Sequence, residues 1–68
     1  MYKSEFISCT PNRNGSLTVT FLLHTPYMDW YESRSFYGYS KREAIKLARE
    51  QFNDLLETEK SKTIVNQP

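Results

Sequence analysis

The run from Ser16 to Thr25 constrains this chain most. Leu17, Val19, Phe21 and Leu23 alternate there with Ser16, Thr18, Thr20, Leu22 and His24. Period-two alternation predicts a strand with one buried face and one wet face. Tyr2 to Thr10 reads as a second strand, joined to the first through Pro11-Asn12-Arg13-Asn14-Gly15. Asn14-Gly15 predicts a two-residue hairpin turn, because both residues tolerate positive φ. Arg13 would then pair with Ser16, and Phe6 would fall opposite Leu23. Tyr2, Ser4, Phe6 and Ser8 would share the buried face, with Lys3, Glu5, Ile7 and Cys9 pointing away; this keeps both charges out of the core. Pro11 lacks the N–H of a ladder donor, so this strand belongs at an edge.

Pro26-Tyr27-Met28-Asp29 is a further turn-forming cluster, followed by a third strand from Trp30 to Tyr37. Burying Glu32 and Arg34 would be costly. That argument turns Tyr31, Ser33, Ser35 and Tyr37 inward and leaves Trp30, Glu32, Arg34 and Phe36 on the outer face. After Gly38, Ser40 and Glu43 have the spacing of a helix capping box, with Tyr39 and Ala44 as its hydrophobic staple. Ala44, Ile45, Ala48, Phe52, Leu55 and Leu56 form one stripe at helical spacing, to about Glu57 or Glu59. Residues 58–68 lack an apolar period and read as a flexible tail. The expected fold is α+β: a three-stranded antiparallel meander, order 1-2-3, with one C-terminal amphipathic helix on one face, a single domain over residues 1–57.

Composition narrows the function classes. Sixty-eight residues leave room for one domain, since domains usually run to about 100–150. No apolar run approaches the 18 or so residues of a membrane helix. Cys9 is the lone cysteine and His24 the lone histidine, so neither an internal disulfide nor a four-ligand zinc site can be assembled, and no cofactor is expected. The N-terminus lacks the pattern of an export signal, and with a lone thiol the expectation is a cytoplasmic protein. Gly15 and Gly38 are the only glycines, so there is no phosphate-cradling loop, and no serine sits in a nucleophile elbow. Enzymatic function is not expected.

A single helix covers one side of a sheet, and the other side must face something. On the parities above, the open face carries Trp30, Phe36, Leu22, Arg34 and His24. A contiguous apolar patch of this kind predicts contact with a partner protein or a second copy, and Trp and Arg are enriched at binding hot spots. Charge supplies a second candidate. Residues 1–49 carry +3 and residues 50–68 carry −2 of the net +1. Lys41 and Arg42 open the helix, where the macrodipole favours acids instead. With Lys46 and Arg49 they form a candidate anion- or phosphate-binding cluster at a helix N-terminus. The alternative reading is therefore nucleic-acid binding, with aromatics of the sheet face on bases and the basic cluster on phosphates.

The stretch Phe36-Tyr37-Gly38-Tyr39-Ser40-Lys41-Arg42-Glu43-Ala44, strand leading into helix, resembles the arm-type DNA-binding domains of phage-type integrases, whose sheet enters the major groove. It is also similar to HicB-type antitoxin domains, in which a strand leads into a Ser-x-x-Glu-Ala helix. Tyr37-Gly38-Tyr39-Ser40-Lys41-Arg42-Glu43-Ala44 resembles a stretch of short cyanobacterial proteins without assigned function. The integrase resemblance implies DNA as a partner. The acidic residues and near-neutral charge depart from those arms, and the open sheet face makes a non-enzymatic protein-interaction or accessory module the leading expectation.

Overall fold

A computed structural model describes residues 1–65, with side-chain surroundings through Ser61. Its elements are β1 (Lys3–Pro11), β2 (Leu17–His24), β3 (Asp29–Phe36) and α1 (Lys41–Val65). The strands form one antiparallel sheet in the order β1-β2-β3, and α1 lies on one face of it. Val19, Phe21, Leu23 and Phe36 from the sheet meet Ala44, Ala48, Phe52 and Leu56 from the helix in the buried core. Phe21 and Phe52 anchor that contact with ring centroids 5.4 Å apart. Ala44 and Ala48 are fully buried, and with only a methyl group each they let helix and sheet approach closely.

The capping box forms as expected. The Ser40 N–H donates to the Glu43 carboxylate at 3.0 Å, and the Glu43 N–H donates to Oγ of Ser40 at 3.2 Å. The Ser40 backbone N–H, and after it the Ser40 side chain, hold the Glu43 carboxyl below its ordinary value. Tyr39 packs edge-on against Phe36, with centroids 6.2 Å apart.

Three expectations are corrected. The first concerns β1. The turn is a three-residue loop, not a two-residue one: Asn12 N–H donates to the Ser16 carbonyl at 2.8 Å, and Gly15 N–H donates to the Asn12 carbonyl at 3.1 Å. Gly15 alone takes positive φ, 88°, while Asn14 stays on the ordinary side and accepts from Ser16 through its side chain. This is a turn closed by a glycine bulge. It sets Pro11 opposite Leu17 and Cys9 opposite Val19. A second irregularity between Phe6 and Ser8 moves the register by one more residue, so Phe6 lies opposite Phe21, not Leu23. The two shifts cancel in parity for Ser4 and Phe6, which face the helix as expected, and for Lys3 and Glu5, which face away. Between the irregularities the parity is reversed: Cys9 packs against the core and Ser8 shares the outer face with Thr20.

The second correction is the parity of β3. Trp30, Glu32, Arg34 and Phe36 lie opposite Leu23, Phe21, Val19 and Leu17, and so face the helix; Tyr31, Ser33 and Ser35 face away. The argument against burying Glu32 and Arg34 fails because α1 lies mainly over β1 and β2. Side chains on the helix side of β3 reach solvent past its edge: Glu32 is half-buried and Arg34 is exposed. The Arg34 guanidinium sits 5.8 Å from the centre of the Phe52 ring, its stem spread along the margin of the core.

The third correction is the helix end. α1 continues to Val65, past the expected boundary at residue 57, so residues 58–65 are helix rather than tail. At 1.5 Å per residue its 25 residues span about 37 Å, against about 27 Å for an eight-residue strand. The last turns therefore need no apolar stripe. They carry local contacts instead: Thr58 Oγ1 donates to the Asp54 carbonyl at 3.1 Å, and Lys60 lies 3.8 Å from Glu57. The remainder of the expected tail, residues 66–68, lies outside the described residues.

Candidate functional site

The uncovered face of the sheet is built in cross-strand rows. Thr10, Thr18 and Ser35 form one row, and Ser8, Thr20 and Ser33 the next. Hydroxyls bond across them, Thr20 to Ser33 at 2.8 Å and Thr18 to Ser35 at 3.3 Å, with the Asn12 side chain donating to Thr18 at 2.8 Å. Glu5, Leu22 and Tyr31 follow, then Lys3, His24 and Asp29. His24 is held between two carboxylates, Nε2 3.1 Å from Glu5 and Nδ1 3.2 Å from Asp29. A carboxylate only accepts, so both bonds form together when both ring nitrogens carry protons. The face is a hydroxyl-rich surface with Leu22 and Tyr31 as its paired apolar groups.

Of the five residues expected on this face, the structure places two there, Leu22 and His24. Trp30, Arg34 and Phe36 lie on the helix side, Phe36 within the core and Trp30 packed against it. The five do not form one surface.

Two large exposed apolar residues, Tyr27 and Met28, stand instead at the end of the sheet where the β2–β3 turn meets the start of β1. Tyr2, Thr25, Tyr27, Met28, Trp30 and Glu59 line a cleft of about 490 Å³ there. The turn that shapes it is stapled by Thr25. Its Oγ1 accepts from the N–H groups of Tyr27 and Met28 at 3.2 and 3.0 Å and donates to the Met28 carbonyl at 2.8 Å. These bonds hold Tyr27 and Met28 outward on a rigid turn, 71% and 60% exposed. Lys60 places its Nζ 5.6 Å from the Tyr2 ring centre beside the cleft. Tyr2, Tyr27 and Met28 were absent from the expected site. Their signal in the sequence is two large apolar residues immediately after Pro26, in a turn where small polar residues are usual.

The basic residues Lys41, Arg42, Lys46 and Arg49 are all exposed. Arg42, Lys46 and Arg49 follow i, i+4, i+7 spacing along one flank of α1. Asn53 continues that flank and accepts a 2.8 Å bond from Ser4 of β1. The Arg49 guanidinium sits 5.5 Å from the Phe21 ring centre, and so is partly engaged with the core margin. This row lies on the helix side of the sheet, whereas Leu22 and His24 lie on the opposite side. One nucleic-acid strand cannot lie flat across both.

Comparison of the chain with protein-family models, curated proteins and solved structures returned no match. Among the described residues no helix is long and apolar enough to cross a membrane.

Proposed function

We propose that this chain is a non-enzymatic interaction module, acting in the cytoplasm, that takes an apolar side chain of a partner protein into the cleft between Tyr2, Tyr27, Met28 and Trp30. The observation that carries this reading is the pairing of that cleft with two large, exposed apolar residues on a turn braced by three bonds to Thr25. Exposed Met and Tyr beside a concave apolar surface are what a binding hot spot uses, and a rigid turn reduces the ordering cost of association. The hydroxyl-rich sheet face is a weaker candidate, since its polar groups already bond to one another.

Selection from a displayed peptide library, against the wild-type chain and a Tyr27→Ser/Met28→Ser variant, tests the reading. Enriched peptides should share an apolar anchor, should shift the Trp30 indole and Thr25 amide signals, and should bind the variant at least about tenfold more weakly. Peptides that bind both proteins equally would refute it. Oligonucleotides that shift Arg42, Lys46 and Arg49 at low salt, with affinity falling as salt rises, would favour the nucleic-acid reading instead.

A further inference from the structure

The two edges of the sheet differ in kind. β1 carries the devices that protect an edge from pairing: Lys3 at its start, an irregularity between Phe6 and Ser8, and Pro11 at its end. β3 carries neither a proline nor a register shift over its eight residues. α1 lies mainly over β1 and β2, and so leaves the outer edge of β3 uncovered.

The backbone polarity of that edge follows from the turn. Thr25 N–H donates to the Met28 carbonyl at 3.0 Å, so Thr25 and Met28 are a hydrogen-bonded pair. Antiparallel ladders alternate, which directs the backbone groups of Trp30, Glu32, Arg34 and Phe36 toward β2. Those of Tyr31, Ser33 and Ser35 are directed toward the open edge.

We infer that β3 is a self-complementary edge that pairs antiparallel with β3 of a second copy, centred on Ser33, to give a six-stranded sheet. In this register Ser33 meets Ser33 of the other copy and Tyr31 meets Ser35 as hydrogen-bonded pairs, using the backbone groups that face outward. The intervening non-hydrogen-bonded positions, where side chains approach most closely, set Glu32 opposite Arg34 twice and Trp30 opposite Phe36 twice. Among the described residues neither Glu32 nor Arg34 has an oppositely charged partner within the chain. A shift of the centre by one residue in either direction loses this match: centred on Glu32 the strand sets Glu32 against itself, and centred on Arg34 it sets Arg34 against itself. The twofold axis stands perpendicular to the sheet, so both helices lie on the same side, each set back from the junction. The cleft at the β2–β3 turn shares Trp30 with this strand, but the pairing rests on the outward backbone groups of Tyr31, Ser33 and Ser35 and on the Glu32–Arg34 match, none of which line the cleft.

Sedimentation analysis of the full chain tests the inference. The wild type should be a dimer at millimolar concentration. Glu32→Arg alone and Arg34→Glu alone each set like charges face to face twice, and each should weaken self-association about tenfold or more. The double variant Glu32→Arg/Arg34→Glu should restore it, and an equimolar mixture of the two single variants should form a heterodimer. Ser33→Pro removes an N–H that points away from β2 and should abolish association while circular dichroism reports an intact fold. A wild type that stays monomeric at millimolar concentration would overturn the inference. So would a dimer indifferent to both charge reversals, or two single variants that fail to recover on mixing.

Discussion

Phe52 is where the helix grips the sheet, and its truncation gives the sharpest test of the packing. Its side chain is fully buried, its ring lies 5.4 Å from that of Phe21 at 60°, and the Arg34 guanidinium covers its margin. Phe52→Ala removes the ring and leaves a cavity that the rigid sheet cannot close, at a cost of about 3–5 kcal/mol. A chain of 68 residues has only about 3–10 kcal/mol in total, at roughly 0.05–0.15 kcal/mol per residue. The variant should therefore lose about a third or more of the total and unfold at a much lower urea concentration than wild type. Phe52→Leu keeps most of the apolar volume but loses the ring pairing, which is worth about 0.5–1.5 kcal/mol beyond area. Tyr31→Ala, on the far side of the sheet and 66% exposed, should stay within about 1 kcal/mol of wild type. Urea unfolding followed by far-ultraviolet circular dichroism and Trp30 fluorescence ranks the three. If Phe52→Ala cost no more than Tyr31→Ala, the two-layer packing described for α1 would be wrong.

Other outcomes follow from local geometry. Ser40→Ala removes the helix cap and should cost about 0.5–2 kcal/mol in the same unfolding assay. Glu43 has its folded pKa depressed by the bonds from Ser40, so its contribution is present above the ordinary value of 4.5 and is lost as pH falls through the lower folded value. The advantage of wild type over Glu43→Ala should accordingly shrink on acidification through that window and stay constant near neutrality. Gly15 has φ 88°, and a Cβ there would meet the Tyr37 side chain, Cε2 and the phenolic oxygen, only at an ordinary 3.8 Å. Gly15→Ala should therefore lose about 1–2 kcal/mol through backbone strain rather than collision, with Gly15→Asn losing less.

The sequence made the meander, the strand order, the central strand and the capping box legible, since each rests on a short-range pattern. The alternation of Leu17, Val19, Phe21 and Leu23 needs no knowledge of neighbours, and neither does the Ser40–Glu43 spacing. What stayed hidden depends on where the helix lies across the sheet. Glu32 and Arg34 argue for the wrong facing of β3 only if both sides of the sheet are equally covered. Once α1 lies mainly over β1 and β2, charge at the margin of the core stays wet and Phe36 takes the buried place. The cleft was hidden for a similar reason, because Tyr2 and Met28 are far apart in the chain and meet only after the strands register. Apolar periodicity marks burial and so stops at residue 57, whereas α1 runs on to Val65, past the sheet it covers.

The paired irregularities of β1 give this domain an unusual tolerance. Ile7 is the supernumerary residue between two correctly placed segments, since Ser8 already stands opposite Thr20 and Phe6 opposite Phe21. Excising Ile7 would straighten the strand and leave each remaining neighbour its present companion. Losing one residue from the 13–15 loop has no such silent outcome. To keep its present partners the chain would have to close on a tighter turn, and otherwise it would slide and present Glu5 to the hydrocarbon interior. One deletion is absorbed and the other inverts the strand, although only a handful of positions separate them.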